Sequence, residues 1–237
     1  MKRCVEGGSR ALPARYLTDW REPFDRAAAA SLVPGCRVLD IGSGRTPTIE
    51  PNLRPAGCTY VGLDLSRAEL QVAGAAAYDE IVVADVCDYQ AALEGSFDLV
   101  VSWQVLEHVS DLGLAIENAR RYLRPGGVLI AQFSGRYSLF GFANRLLPHR
   151  LARLALKILL ARDPDTVFPA IYESCYYDAI LGKTRAWSRV RVISRFRGGE
   201  YLAFMPPVMG LYLNFESSMV RGRHRNLASH YLLVSSR

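Results

Sequence analysis

Short apolar runs recur along residues 37–133 at the spacing of strands that alternate with helices. Each run is four to six residues long, and Gly, Pro, Asp or Ser residues bound it. Runs this short and this continuously apolar are typical of strands buried on both faces of a sheet. The spacing therefore predicts an α/β fold in which helices cover both faces of a parallel sheet. The predicted strands are residues 37–41, 60–63, 80–84, 97–102 and 128–133.

The rest of the chain is interpreted as additions to this core. A helix is predicted over residues 111–123, where apolar residues share one face and arginines lie near the C-terminal end, as the helix dipole favours. Two later runs, 190–196 and 231–235, are expected to complete a mostly parallel sheet of seven strands. Residues 136–182 are rich in Arg, Leu and Tyr and are predicted to form a helical insertion after the fifth strand.

Composition limits the class of protein. A chain of 237 residues that is 50% hydrophobic can bury the core of one large domain. The sequence has no run of about 18 apolar residues and no start typical of a signal peptide, so we expect a soluble cytoplasmic protein. The five cysteines are scattered without a CxxC pair, which favours reduced thiols over a disulfide framework or a zinc site.

The net charge of +6 is unevenly distributed. Residues 1–134 hold 13 basic and 17 acidic residues, whereas residues 135–237 hold 16 basic and 6 acidic ones. A basic second half favours an acidic partner, which could be an anionic substrate, a membrane surface or a nucleic acid. Solvated surface arginines explain the same asymmetry, so both interpretations stay open.

The first predicted strand runs into a glycine turn, and Pro47 is expected in the first turn of a following helix. Gly42 and Gly44 allow a sharp bend and a close approach of ligand, and Asp40 offers a carboxylate to a positively charged amino group. A pyrophosphate would be repelled by that carboxylate, and Pro47 replaces the third glycine of the dinucleotide fingerprint. We therefore expect a nucleotide-like ligand with a cationic end, although such turns also occur for strand–helix packing alone.

Two further predicted strands also end in aspartate. Asp64 follows the glycine turn by about 20 residues, as does the acid that binds ribose hydroxyls in such folds, although it could instead cap a helix that begins near Ser66. Asp85 ends the next strand and could accept a hydrogen bond from an adenine amine. Because the carboxyl ends of parallel strands meet at one edge, Asp40, Asp64 and Asp85 are expected to converge on one site.

These motifs, together with the run 97–109, which ends in Leu106-Glu107-His108-Val109, and with Leu123-Arg124-Pro125-Gly126-Gly127, resemble those of the class I S-adenosylmethionine-dependent methyltransferases. The resemblance covers about residues 38–133 and is closest to the small-molecule branch with an Asp-x-Gly-x-Gly turn. It implies a Rossmann-like fold, S-adenosylmethionine as cofactor and S-adenosylhomocysteine as product. Together with the flanking segments, this predicts one domain with a helical arm (1–30), a cofactor-binding core (31–134) and substrate-recognition elements that complete the sheet (135–237).

The same resemblance assigns cofactor contacts. It implies Asp40, Gly42 and Gly44 at the methionine end, Asp64 and Leu65 at the ribose, Asp85 and Val86 at the adenine, and Ser102 and Gln104 near the methyl group. One departure is Thr46, because family members often carry glycine there, and this puts the fit of the turn in doubt.

The sulfonium of the implied cofactor is already electrophilic, so the protein mainly has to align the reacting atoms and exclude water. A hydroxyl acceptor or an acidic carbon would benefit from a general base, for which His108 is the candidate. The alternative is that Glu107 and His108 cap and anchor the following helix. No second cluster of His, Asp or Glu occurs at ligand spacing near Glu107, so no metal is expected.

The acceptor is expected to be a small or lipid-linked molecule, with an anionic one left open. Residues 144–162 predict a basic amphipathic helix, which could lie on an anionic membrane, cover a lipid-like acceptor or pack as a lid. The aromatics Phe168, Tyr172, Tyr176 and Tyr177 suit either an apolar acceptor pocket or ordinary core packing.

Two other functions compete with this one. The basic second half favours an RNA methyltransferase, but the chain has no Asn-Pro-Pro-Tyr-type motif and no recognisable RNA-binding module, so a nucleic acid partner is disfavoured. A catalytically silent binding protein with this fold would not need the intact cofactor motifs. The sequence leaves the oligomeric state open.

Overall fold

The computed structural model describes residues 12–74, 76–138 and 171–237. One sheet contains seven strands, and each predicted strand is present within a few residues of its expected bounds. The strands are β1 (Arg37–Ile41), β2 (Thr59–Asp64), β3 (Glu80–Val83), β4 (Phe97–Trp103), β5 (Leu123–Ser134), β6 (Arg189–Arg195) and β7 (His230–Ser236).

The strand order is β3-β2-β1-β4-β5-β7-β6. Strand β7 runs antiparallel to both of its neighbours, and the other strand pairs are parallel. The chain reverses its direction across the sheet between β1 and β4, which is where open α/β sheets bind ligands beyond the carboxyl ends of the strands. The predicted fold class, a mostly parallel Rossmann-like sheet, is confirmed.

Five α-helices lie in the described residues: α1 (Glu22–Ser31), α2 (Arg67–Val72), α3 (Leu112–Tyr122), α4 (Tyr177–Lys183) and α5 (Pro206–Arg221). They help to cover a core that occupies both faces of the sheet. On one face α1 packs against β5 and buries Phe24 and Ala28, and on the other face α3 packs against β5 and buries Ile116 and Tyr122. A fully buried Phe or Ile contributes about 1.5–3 kcal/mol to stability, so both faces hold the sheet firmly.

The helix predicted over 111–123 is α3, and its N-cap is Asp111, whose carboxylate accepts hydrogen bonds from Gly113 N at 2.6 Å and Leu114 N at 3.2 Å. The alternative that Glu107 and His108 cap this helix is therefore wrong. Asp111 is better placed because a cap must reach the free amides of the first turn.

A similar correction applies to α2. Its N-cap is Ser66, whose side chain accepts a hydrogen bond from Glu69 N at 3.2 Å. Asp64 does not cap this helix, because it lies two residues before the cap and its carboxylate bonds elsewhere. This leaves its position at the end of β2 to be explained by the site.

The helix expected to begin at Pro47 is absent. Residues 42–50 form turns, and only a single 3-10 turn, Pro51–Leu53, follows them. Pro51 helps to explain this, because Pro lacks an amide donor and disfavours a helical conformation in the residue before it. Glu50, which precedes Pro51, has an extended ψ of 145°. The amide of Thr48 donates to the Asp40 carboxylate at 2.7 Å instead of to a helical carbonyl.

Several predictions fall on residues that the structure does not describe. The basic amphipathic helix over 144–162, most of the predicted insertion, and Phe168 lie outside the described residues. Residues 1–11 of the predicted arm do so as well, and the division of the chain into one domain with three parts stays a prediction. Among the helices of the described ranges, none is long and apolar enough to cross a membrane.

Candidate functional site

The glycine turn follows β1 directly. Gly42 and Gly44 have φ of 70° and 52°, in the left-handed region that favours glycine. A Cβ atom on Gly42 would lie 2.3 Å from Cγ2 of Val105, so the loop after β4 packs directly on the turn. Thr46, where the sequence departs from the family pattern, is exposed and does not have a positive φ, so its conformation does not require glycine.

Asp40 is fully buried beneath this turn. Its Oδ2 accepts hydrogen bonds from Thr48 N at 2.7 Å and from the Tyr60 hydroxyl at 2.8 Å. Its Oδ1 has no hydrogen-bond partner among the residues described. Burial raises the pKa of Asp40 to about 6. A buried carboxylate with one free oxygen suits a cationic amino group, which would satisfy that oxygen and favour the ionised form.

Asp64 joins the end of β2 to the glycine turn. Its Oδ2 accepts a hydrogen bond from Gly44 N at 3.0 Å, and its Oδ1 accepts one from Ser66 N at 2.8 Å. The side chain is half-buried, and each carboxylate oxygen can accept a second hydrogen bond. The group is therefore held in place and can still receive two neighbouring hydroxyls. Leu65 beside it is 61% exposed and offers apolar cover.

The third strand-end acid is fixed by its own loop. Asp85 Oδ1 accepts a hydrogen bond from Cys87 N at 2.8 Å, and Val86 is buried. Asn118 of α3 donates to the carbonyls of Val86 at 2.8 Å and Cys87 at 3.0 Å, which holds the loop backbone. Sequence reasoning missed Asn118, although a polar residue on the buried face of an amphipathic helix was the available signal.

Two polar residues end β4 beside the turn. Ser102 is buried, and its hydroxyl donates to the Ile41 carbonyl at 3.2 Å, so it ties β4 to β1. Gln104 has a φ of 57°, and its amide donates to the Gln132 carbonyl at 2.7 Å. Its side-chain oxygen accepts from the Ser134 hydroxyl at 3.0 Å, while its buried Nε2 has no acceptor in the described part of the chain. A non-glycine residue held at positive φ is typical of a functional loop.

Glu107 and His108 differ in their surroundings. Glu107 is buried, and burial raises its pKa. Its side chain accepts a hydrogen bond from Ser134 N at 3.1 Å. Its backbone carbonyl accepts hydrogen bonds from the backbone N–H groups of Ile171 and Tyr172 at 2.9 and 3.0 Å. Glu107 therefore anchors both the end of β5 and the segment at 171–172. His108 is half-buried, and its buried Nδ1 has no partner within the ranges described. The anchoring role therefore belongs to Glu107, and His108 retains a ring nitrogen for other chemistry.

The N-terminal arm contacts the same edge of the sheet. The Arg21 guanidinium lies 4.5 Å from the centre of the Trp103 ring at the end of β4 and donates to the Thr48 carbonyl of the turn. The Trp20 ring lies 6.3 Å from that of Trp103. The sequence places Trp20 in the predicted arm and does not indicate that it lies at the site.

The site therefore offers a buried carboxylate oxygen, a glycine turn at positive φ and two further strand-end acids along one edge. Such an arrangement can hold a ligand with a cationic amino group, a pair of hydroxyls and a flat base. Within residues 12–74, 76–138 and 171–237, no group of three His, Cys, Asp or Glu residues lies close enough to hold a metal ion.

Comparison with known proteins gives a family match. A family model described as a methyltransferase domain matches residues 14–174, which is more than half of the chain. The ubiquinone biosynthesis O-methyltransferase of Chelativorans sp. (strain BNC1) is 35% identical over 105 residues, which cover 43% of this chain and 41% of that protein. The chain thus spans about two fifths of the length of that relative.

Solved structures share the fold. A phosphoethanolamine N-methyltransferase of Haemonchus contortus in complex with S-adenosyl-L-methionine has a TM-score of 0.56 at 16% identity. The match covers 92% of this chain and 52% of that one. An S-adenosylmethionine-dependent methyltransferase of Mesorhizobium loti has a TM-score of 0.54 at 20% identity, and the match covers 92% of this chain and 97% of that one. At these identities the likeness shows the fold alone.

Proposed function

The chain belongs to the methyltransferase-domain family, and we propose on this premise that it transfers a methyl group from S-adenosylmethionine to a small-molecule acceptor. The observation that carries the proposal is the free buried oxygen of Asp40 beneath the glycine turn. Asp64 and Asp85 at the ends of the next two strands support it, because a nucleoside extending from the turn would meet both.

The proposed contacts follow the site. Asp40 holds the amino group of the methionine end, and the turn at Gly42 and Gly44 lies against that end of the cofactor. The two oxygens of Asp64 accept the ribose hydroxyls, with Leu65 beside them. The adenine lies against Asp85 and Val86, and Ser102 and Gln104 lie near the methyl group.

The cofactor, when bound, supplies a methyl group on a sulfonium, and the residues of this chain do the rest. Their main work is to orient the acceptor in line with the methyl group and to exclude water. Gln104 lies in the loop that packs on the glycine turn, so its unpaired Nε2 can orient the acceptor. His108 Nδ1, which is also unpaired, takes the proton of a hydroxyl acceptor.

The acceptor class is proposed from the relatives. Several similar proteins are named ubiquinone biosynthesis O-methyltransferases, so a hydroxyl on a small ring is the first acceptor to test. A lipid tail on that ring and contact with a membrane surface are compatible with the basic amphipathic pattern of residues 144–162, which the structure does not describe.

The test is methyl transfer from S-adenosylmethionine with a tritiated methyl group. Phenols, catechols and primary amines, each with and without an isoprenoid tail, serve as acceptors for the wild-type chain and for a Gly44→Val control. We expect the label to enter a hydroxyl-bearing acceptor with wild type and not with the control. Transfer that is equal for the two proteins would contradict the proposed site.

A further inference from the structure

We propose that Arg195, Gln132 and Gln104 form a pocket beside the methyl-transfer position that binds a carboxylate of the acceptor. This inference rests on the proposed function and names the substrate class for the same site. Arg195 was absent from the sequence predictions, because β6 alternates arginines with apolar residues and reads as a solvent-exposed edge strand.

The sheet brings these residues together at its carboxyl edge. Ser134 at the end of β5 pairs with His230, and His230 pairs with Arg195 at the end of β6. Gln132 lies two residues before Ser134, so its side chain faces the same side of the sheet. The Arg195 guanidinium donates to Gln132 Oε1. The backbone N–H of Gln104 donates to the backbone carbonyl of Gln132, which connects β5 to the loop after β4.

Two amide nitrogens in this row lack acceptors. Gln132 is fully buried, and because its Oε1 faces the guanidinium, its Nε2 points away from Arg195. Neither Gln132 Nε2 nor Gln104 Nε2 has a hydrogen-bond acceptor in the described ranges. Buried donors without acceptors are unfavourable, and most such groups in proteins are paired. Oxygen atoms of a bound ligand would satisfy such donors.

Charge selects the ligand further. Arg195 is 8% exposed, and its guanidinium lies 4.4 Å from the centre of the Trp20 ring. Burial, followed by repulsion from Arg197, lowers the pKa of Arg195 to about 10, so it stays protonated at neutral pH. No ion pair joins Arg195 to a carboxylate among the residues that the structure describes, whereas Arg197 pairs with Glu200.

When the charges of the neighbouring groups are added to that of Arg195, the pocket carries a net charge of about +1. Burial lowers the pKa of His230 to about 3, so this ring is neutral at pH 7. Glu200 offsets Arg197, and the carboxylates of Glu22 and Asp19 act on Arg195 more weakly. One uncompensated guanidinium with planar amide donors matches a flat monoanion better than a dianion such as phosphate. A carboxylate has this charge and shape.

The N-terminal arm forms one wall of the pocket. The Trp20 ring lies 4.3 Å from the His230 ring, and the Thr18 carbonyl accepts from Arg197 at 2.8 Å. The Tyr16 hydroxyl accepts from Gly199 N at 2.9 Å and donates to the buried Glu216. These contacts hold the arm over Arg195, so the pocket is shielded from water, and a charged contact there is strong.

The experiment compares benzoate with benzamide, which share a size and shape and differ in charge. Each is titrated into the protein loaded with S-adenosylhomocysteine, and tryptophan fluorescence is followed because Trp20 borders the pocket. We expect benzoate to bind about tenfold more tightly than benzamide, as a charge-assisted contact predicts. Arg195→Gln should remove this preference. Arg191→Gln, an exposed arginine on the same strand and face, should keep it.

A second variant distinguishes loss of the pocket from misfolding of the chain. Gln132→Glu keeps the side-chain shape and places an internal carboxylate on Arg195, so it should also abolish the preference for benzoate while the chain stays folded. Equal binding of the two probes to wild type would overturn the pocket, as would no binding of either at millimolar concentration. Failure of S-adenosylhomocysteine to bind would contradict the proposed function instead. The benzoate and benzamide titrations, repeated without S-adenosylhomocysteine, would then still test whether the pocket binds a carboxylate.

Discussion

Substitution of Gly42 by alanine tests how tightly the loop after β4 packs on the glycine turn. The added Cβ would lie 2.3, 2.4 and 2.9 Å from Cγ2, Cγ1 and Cβ of Val105. Rotation of the valine cannot relieve this overlap, because both methyl groups and the Cβ are involved and β-branched side chains are stiff. The loop that carries Gln104 and His108 must therefore move.

The magnitude follows from two separate costs. Alanine at a φ of 70° costs about 1–2 kcal/mol of stability because of the left-handed backbone, and the overlap costs about 1–3 kcal/mol more. Gly44→Ala is the matched control, since its φ is also positive but the nearest atom to its Cβ is Asp64 Oδ2 at 3.8 Å. We expect a cost of about 2–5 kcal/mol for Gly42→Ala and about 1–2 kcal/mol for Gly44→Ala.

Urea unfolding followed by circular dichroism measures these costs. Val105→Ala removes the two closest atoms, so the double variant Gly42→Ala/Val105→Ala should recover about 1–2 kcal/mol relative to additive single effects. Equal costs for Gly42→Ala and Gly44→Ala, or strictly additive effects in the double variant, would refute the packing of this loop on the turn.

Three further predictions concern the chemistry of the site. Gly44→Val should leave the fold intact and weaken S-adenosylhomocysteine binding more than about tenfold in calorimetry, because a β-branched residue at a φ of 52° displaces the turn backbone. Since the pKa of Asp40 is raised to about 6 from 3.8, its protonated form favours the unliganded fold, and that stabilisation is lost as the pH rises from about 4 to 6. Over this pH range, urea unfolding should show the free energy of unfolding of wild type falling by up to about 3 kcal/mol relative to that of Asp40→Asn. The affinity of wild type for S-adenosylhomocysteine should rise over the same range. Parallel curves of stability against pH for the two proteins would contradict this. His108→Gln should lower kcat for a hydroxyl acceptor by about 10²-fold or more at unchanged cofactor affinity, and an unchanged pH–rate profile would exclude it as the base.

The sheet was predictable because its signal is local. Each strand of the core is a short apolar run, and the aspartates at the ends of β1 and β2 follow from the chain itself. Parallel strands bring their carboxyl ends together, so Asp40, Asp64 and Asp85 could be grouped without a structure. The helix predicted at Pro47 is absent for two reasons. Pro51, which disfavours it, is visible in the sequence, whereas the competing hydrogen bond from Thr48 to Asp40 is not.

The pocket residues were not predictable for a different reason. Trp20, Arg195 and His230 are far apart in sequence and meet only because β7 inserts between β5 and β6. An arginine in an alternating strand is usually solvated, whereas Arg195 is buried with its guanidinium over Trp20 of the arm. Burial that depends on a distant segment leaves no local pattern to read.

Calorimetry of S-adenosylhomocysteine binding to the wild-type chain at neutral pH tests the central claim most directly, with Asp40→Asn as the paired variant. We expect binding of one molecule per chain with micromolar affinity, and binding that is at least about tenfold weaker in the variant because the free oxygen of Asp40 no longer carries a charge. No binding to the folded wild-type chain, or equal affinity of the two proteins, would contradict it.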